Sequence, residues 1–251
     1  MYSNRVQKGI KKMNKKEKFI VLDVEGYSTA RPYNIGYIVA DRYGKIYKKR
    51  SFALHGCIWE NIVSMVATKQ AESMTKRNVE EILNDTEKPY FLRKYSHVSI
   101  DKFRRFWEKD LNKYKVKRVV AYNVNFDKSS LMRLLTAETI INYQLEFCDI
   151  ITAILHTKLL TKKYVQFCIN NNYLTEKGNV MTKAEIVYRY LTNDLTFDEE
   201  HTGLADVLIE YKILLEAFKT HQKIETNPCQ AWRVLKKFCE DNEINLTRGT
   251  A

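Results

Sequence analysis

Phe19-Ile20-Val21-Leu22-Asp23-Val24-Glu25-Gly26 is an apolar, β-branched run that carries two carboxylates two residues apart. Such a run reads as a buried strand, and in a strand the side chains at i and i+2 leave on the same face. Asp23 and Glu25 therefore point together while Val24 points the other way. Two carboxylates side by side repel, and three arrangements relieve them: protonation of one, a strand end at which both reach water, or a cation held between them. Which of these holds depends on the partners that the rest of the chain supplies.

Working outward, Tyr33–Ala40 places Ile35, Tyr37 and Val39 on one face, Asp41-Arg42-Tyr43-Gly44 is a turn signal, and Ile46–Ala53 predicts a returning strand. With the quoted strand this makes an opening meander. Beyond His55 the pattern becomes helical over Ile58–Thr68 and Ala71–Leu83, and residues 84–97 read as a connecting loop. Ser99 is the expected N-cap of a helix whose Phe103, Trp107, Leu111 and Tyr114 recur at helical spacing as a core stripe. Val116–Ala121 predicts the next strand.

That strand runs into Ala121-Tyr122-Asn123-Val124-Asn125-Phe126-Asp127, after which Leu131, Leu134 and Leu135 follow at helical spacing. A carboxylate at the start of a helix directly after a strand lies at the strand's carboxyl end, where open α/β sheets carry their sites. Asp127 reads as a cap of that helix or as a ligand, and a carboxylate has oxygens for both roles. A strand over Leu145–Ile150 leading into a helix through Leu160, a loop over 170–181 and helices over 163–171 and 182–191 come next. The third stretch, His201-Thr202-Gly203-Leu204-Ala205-Asp206, opens a helix with Leu204, Leu208, Tyr211, Leu215 and Phe218 on one stripe. Were both residues helical, His201 and Asp206 would stand roughly 140° apart at about 100° per residue. His201 meets Asp206 only from the loop before the helix; otherwise it is a surface histidine.

Composition bounds the chemistry. The 251 residues with 45% hydrophobic content are enough for one large domain with a real core. Of the formal charge of +12, half lies in residues 1–18, where Arg5, Lys8, Lys11, Lys12, Lys15, Lys16 and Lys18 face only Glu17. This segment is expected to be a basic, flexible tail. It has no apolar stretch of the signal-peptide kind, and no run approaches a membrane span. The basic balance favours a polyanion partner. Five scattered cysteines without a C-x-x-C pair point to reduced thiols in a cytoplasmic setting and away from a zinc site. The AT-rich flavour of the composition fits a phage or mobile-element origin, in which case the compartment is the host cytoplasm.

Taken together the three stretches resemble the DEDDh family of 3′-5′ exonucleases, the group typified by the proofreading epsilon subunit of bacterial DNA polymerase III. The family's D-x-E strand is similar to Asp23 and Glu25, its N-x-x-F-D segment to Asn123, Phe126 and Asp127, and its H-x-x-x-x-D segment to His201 and Asp206. The resemblance covers roughly residues 19–219 and implies an RNase H-like α/β domain with a mixed β-sheet flanked by α-helices. It implies that Asp23, Glu25, Asp127 and Asp206 hold two Mg²⁺ or Mn²⁺ ions and that His201 is the general base. Four carboxylates are a hard-oxygen set suited to those ions, and two ions activate a water and stabilise the leaving 3′-oxygen. The implied activity is release of nucleoside 5′-monophosphates from single-stranded 3′ ends, DNA ahead of RNA, by a free-standing enzyme or one acting in trans with a DNA polymerase. The alternatives are an exoribonuclease of the ribonuclease T kind and a binding protein that has lost turnover.

Two positions depart from the family pattern: Gly26 stands where most members have Thr, and Tyr122 where many have His. Gly26, Tyr122, Asn123 and Phe126 are the candidate contacts to the terminal nucleotide. Residues 19–221 are taken as the nuclease domain and 222–251 as a helical extension with a frayed end. In that extension Asn227-Pro228 predicts the start of a helix edged by Trp232, Leu235, Phe238 and Cys239.

Overall fold

The computed structural model describes residues 10–12, 17–26, 32–54, 96–199, 202–220, 223–225 and 228–246. The two helices expected between 58 and 83, most of the loop after them, and His201 lie outside these residues. The strands are β1 (Ile10–Lys12), β2 (Lys18–Gly26), β3 (Pro32–Asp41), β4 (Ile46–Leu54), β5 (Ser96–Val98), β6 (Arg118–Ala121), β7 (Glu146–Asp149) and β8 (Lys223–Glu225). The helices are α1 (Ile100–Tyr114), α2 (Asn125–Leu134), α3 (Ala137–Tyr143), α4 (Ile150–Ile154), α5 (Lys162–Asn170), α6 (Ala184–Thr192), α7 (Gly203–Thr220) and α8 (Ala231–Asp241). A π-helical turn, Leu155–Leu159, prolongs α4.

Six strands form one mixed sheet in the order β5-β4-β3-β2-β6-β7. The meander β2-β3-β4 is antiparallel, while β6 joins β2, β7 joins β6 and β5 joins β4 in parallel. Strand parity divides the core. Phe19 and Val21 with Ile38 and Ala40 face a layer that contains α4 to α8. Ile20, Leu22 and Val24 with Ile35, Tyr37 and Val39 face α1, α2 and α3. This mixed sheet with helices on both faces is the α/β arrangement of an RNase H-like fold.

The α1 stripe is core as expected, with Phe103, Trp107 and Leu111 fully buried. Trp107 meets Tyr37 edge-on at 5.2 Å between centroids. Ser99 caps α1, its Oγ accepting the Lys102 N–H at 3.2 Å. Lys115 ends the helix in the left-handed region (φ 55°), and Val116 then donates its N–H to Leu111 O. That bond ties Val116 to the helix end, so β6 begins at Arg118 and not at Val116.

Behind α1 sits a buried charge. Asp110 accepts hydrogen bonds from the Tyr37 hydroxyl at 3.0 Å and from Arg50 Nε at 2.8 Å. Its side chain is 3% exposed and that of Arg50 16%. Asp110→Ala leaves the Tyr37 hydroxyl without an acceptor inside the core and should cost about 2–4 kcal/mol. Urea unfolding reads this as a lower midpoint with an unchanged slope, and Tyr37→Phe in the Asp110→Ala background should recover part of the loss.

Several elements depart from the sequence reading. β5 lies in the stretch read as a loop, and β1, part of the tail read as flexible, pairs antiparallel with β8. Each has three residues, too few for any periodicity to register, and β1 reads as Ile-Lys-Lys. α2 starts at Asn125, so Asp127 lies in its first turn and is not its N-cap. α8 starts at Ala231, three residues after Pro228, because Cys229 donates its N–H to Thr152 Oγ1 at 3.0 Å and is held against α4 before the helix winds. Among the described residues no helix is long and apolar enough to cross a membrane. Cys148, Cys168 and Cys239 are free thiols; Cys57 lies outside the described residues.

Candidate metal centre

Asp23 and Glu25 share the parity of Phe19 and Val21 and so face the α7 side of β2. Directly across the antiparallel ladder from them stand Gly36 and Asn34. The missing side chain at Gly36 lets α7 descend onto the sheet: a Cβ there would lie 2.0 Å from the carbonyl carbon of Gly203. Asn34 completes the seat, its Oδ1 accepting the Gly203 N–H at 3.0 Å. Asp206 occupies the first turn of α7, where the helix dipole favours negative charge. One oxygen from each of Asp23, Glu25 and Asp206 then lies within 4.8 Å of the others.

Asp127 comes from the other side of β2. Its Oδ1 accepts the Val24 N–H at 2.9 Å, which fastens α2 to the strand. It is not one of the three mutually close oxygens. Its charge nevertheless acts on Asp23. Gly26 ends β2 beyond a register shift and pairs with Pro32. Asn123 takes the left-handed conformation (φ 60°), which Asn tolerates better than most residues, and so turns the chain from β6 towards α2. Val124 then donates its N–H to Asp149, the cap of α4. Tyr122 donates its hydroxyl to Thr182 O at 2.6 Å, and the charges of Glu210, Asp149 and Glu199 act on it. Phe126 is half-buried. His201 lies outside the described residues.

Two further carboxylates bear on the site. Glu210 is 4% exposed and stands one turn after Asp206 on the same face of α7. Glu199 is half-buried, and its charge acts on both Asp206 and Glu210. The signal for Glu210 was present in the chain, an acid one helical turn after Asp206. Glu199 was hidden in the acidic run before His201.

Burial and mutual repulsion disfavour ionisation throughout this group. Burial, and then the charges of Glu210, Glu25, Asp127 and Asp206, hold Asp23 well above the usual carboxylate range. Burial pushes Asp127 up to about 8 against the pull of the Val24 N–H. Burial, Glu199 and Glu25 push Asp206 up to about 8 as well. Burial raises Glu25 and drives Glu210 well above its ordinary value. Asp23 Oδ2, Asp206 Oδ1 and Glu210 Oε2 are buried without a hydrogen-bond partner. Orphaned oxygens of this kind cost free energy unless a proton or a cation meets them. The donors are all hard oxygens, which fit Mg²⁺ or Mn²⁺.

The sign of the pH dependence follows. A carboxyl whose folded pKa lies above its unfolded value of about 4 keeps a proton that the unfolded chain has released. The stability it confers is complete below about pH 4 and is lost as the pH rises through about 8, the value for Asp127 and Asp206. In EDTA the protein should therefore melt at a higher temperature at pH 5 than at pH 8. Metal binding requires the ionised form, so Mg²⁺ should raise the melting temperature more at pH 8 than at pH 5. Equal metal effects at both pH values would count against an ion among these carboxylates.

No known family model matches the chain, and no curated protein sequence does so.

Proposed function

We propose that the protein is a metal-dependent 3′-5′ exonuclease of the DEDDh kind, acting on single-stranded nucleic acid in the cytoplasm. One observation carries this reading: Asp23, Glu25 and Asp206 converge within 4.8 Å of one another in a largely buried setting, with Asp127 fastened beside them. A purely structural role does not account for orphaned acids brought together from β2 and α7, whereas a divalent-cation site does. The order of the three motifs along the chain adds the reaction class.

Asp23, Glu25 and Asp206 are the residues that would hold the ions, with Asp127 beside them completing the set. When bound, two such ions supply an activated water and neutralise charge on the leaving 3′-oxygen. The remaining work belongs to the chain. The β2–β3 ladder and the Gly36–Gly203 contact fix where the carboxylates stand, and Val24 N–H orients Asp127. His201 enters by its place five residues before Asp206 and serves as the general base. Asn123 at its sharp turn and Phe126 lie next to Asp127 and are the contacts for the terminal nucleotide. Tyr122, whose hydroxyl is spent on Thr182, supports the neighbouring loop.

A time course on 5′-labelled single-stranded DNA and RNA of matched sequence, with Mg²⁺, Mn²⁺ or EDTA, tests the proposal. The expected result is a ladder that shortens from the 3′ end only with metal, DNA faster than RNA. A reversed preference would make the enzyme an exoribonuclease. Intact substrates with both metals would overturn the nuclease reading.

A further inference from the structure

On the α7 side of the sheet a cleft of about 1440 Å³ opens beside the carboxylates. Its inner end is formed by Glu199 and by Tyr122, Asn123 and Asn125, which lie on the turn and helix start that lead into Asp127, so the cleft adjoins the candidate centre. One wall is a short hairpin between α5 and α6, closed by the Leu174–Val180 bridge and by Gly178 in the left-handed region. The other is the approach to α8 and its first turns, where Trp232 and Lys236 face the opening.

Both walls are anchored. The hairpin is held by the Tyr122 hydroxyl on Thr182 O and the Tyr164 hydroxyl on Met181 O at 2.7 Å, and the α8 approach by Cys229 on Thr152. The cleft is thus built independently of any occupant. It exceeds the roughly 300–1,000 Å³ of a small-molecule pocket. Lys177, Lys183 and Lys236 line it and are exposed, while the acids are Glu176 at the hairpin tip and Glu199 at the catalytic end. Trp232 is 43% exposed, with the Arg233 guanidinium 5.0 Å from its ring. An exposed indole among lysines, in a cleft too large for one small ligand and next to the carboxylate centre, has the chemistry of a single-strand track: an aromatic face for a base and cations for phosphates.

We propose that this cleft carries the nucleotides next to the terminal residue of a single-stranded nucleic acid, with Trp232 stacking on a base and Lys177, Lys183 and Lys236 meeting phosphates. The inference rests on the nuclease reading of the adjoining carboxylates. Tyr122 and Thr182 then link the two, since the hairpin that bears Lys177 and Lys183 is tied to the turn that bears Asn123.

The test compares kcat/KM on oligo-dT of two and of ten residues. Trp232→Ala should lower the ten-to-two ratio roughly tenfold, the loss of one stacked base. Trp232→Phe should restore most of the ratio, and Lys177→Ala/Lys236→Ala should flatten the salt dependence of the ten-residue substrate. Ile141→Ala, an exposed apolar residue on α3 on the other face of the sheet, should leave the ratio unchanged. Anisotropy of labelled dT₁₀ with Ca²⁺ in place of Mg²⁺ separates this inference from the nuclease reading. If the wild type binds dT₁₀ through Trp232 without cleaving it, the track stands and the nuclease reading falls. If it cleaves dT₁₀ and Trp232→Ala leaves the ratio intact, the track is overturned and the nuclease reading stands. Neither binding nor cleavage overturns both, and so does a cleft that prefers a peptide over dT₁₀.

Discussion

Asp206→Asn should abolish metal-dependent hydrolysis while leaving the protein folded and, above pH 8, more stable than the wild type in EDTA. The carboxylate is 4% exposed, with Oδ1 unpartnered, and meets Asp23 and Glu25 within 4.8 Å. Asn keeps the shape and removes one negative charge from a crowded group, so the metal-free protein loses repulsion and no packing. The same change removes a hard anionic ligand. Several kcal/mol of transition-state stabilisation come from such ions, and each 1.36 kcal/mol is tenfold in rate, so the activity should fall by at least about three orders of magnitude. Calorimetric titration with Mn²⁺ should show weaker or absent binding in the variant. A variant that loses activity because it unfolds, or one that binds Mn²⁺ as well as the wild type, would refute this role for Asp206. Glu210→Gln sharpens the comparison: it removes a buried charge from the same helix face at a residue that is not one of the three close oxygens, so it should stabilise the metal-free protein with a smaller loss of rate.

What could be read from the chain follows from how local each signal is. Alternation in β3, the Asp41–Gly44 turn and the α1 stripe are local patterns, and with the apolar run of β2 they sufficed for the meander and for Asp23 and Glu25 on one face. Asp127 and Asp206 were legible because each opens an apolar helix at a recognisable spacing. The role of Asp127 was less so: its Oδ1 serves Val24, 103 residues away in sequence, and not the first turn of its own helix. Glu210 stands one turn after Asp206, but its part in the group shows only in its nearness to Asp23 and Asp127 on other elements, and Glu199 was missed for the same reason: sequence spacing carries no information between elements. The strands β1, β5 and β8 were missed because a three-residue strand owes its existence to its neighbour's edge. The α8 start shifted for a similar reason, a hydrogen bond from Cys229 to a threonine 77 positions earlier.

The other large effect is expected where the sequence looks least chemical. Gly36→Ala should displace or unfold the α7 side of the molecule and abolish metal binding, although it adds a single methyl group to a strand and touches no carboxylate. The new Cβ would lie 2.0 Å from Gly203 C and 2.2 Å from Leu204 N. Those are backbone atoms at a helix start and no rotamer change relieves them. Gly203→Ala meets the same obstacle from the other side, with Gly36 N at 2.6 Å and Asn34 Oδ1 at 2.8 Å. Overpacking of a tight interior ordinarily costs about 1–3 kcal/mol, and a backbone-to-backbone clash belongs at or above the top of that range. The damage is directed. To escape, the start of α7 must lift from β3, which stretches the Gly203–Asn34 hydrogen bond and moves Asp206 away from Asp23 and Glu25. The expected result is a lowered melting temperature together with loss of the Mg²⁺-dependent stabilisation at pH 8. Asn34→Ala is the graded version, removing the acceptor and adding no volume: it should cost about 1–3 kcal/mol for the buried N–H left unsatisfied and weaken metal binding without abolishing it. If Gly36→Ala kept full metal-dependent stabilisation, the contact between these two glycines would not be what sets the spacing of the carboxylates.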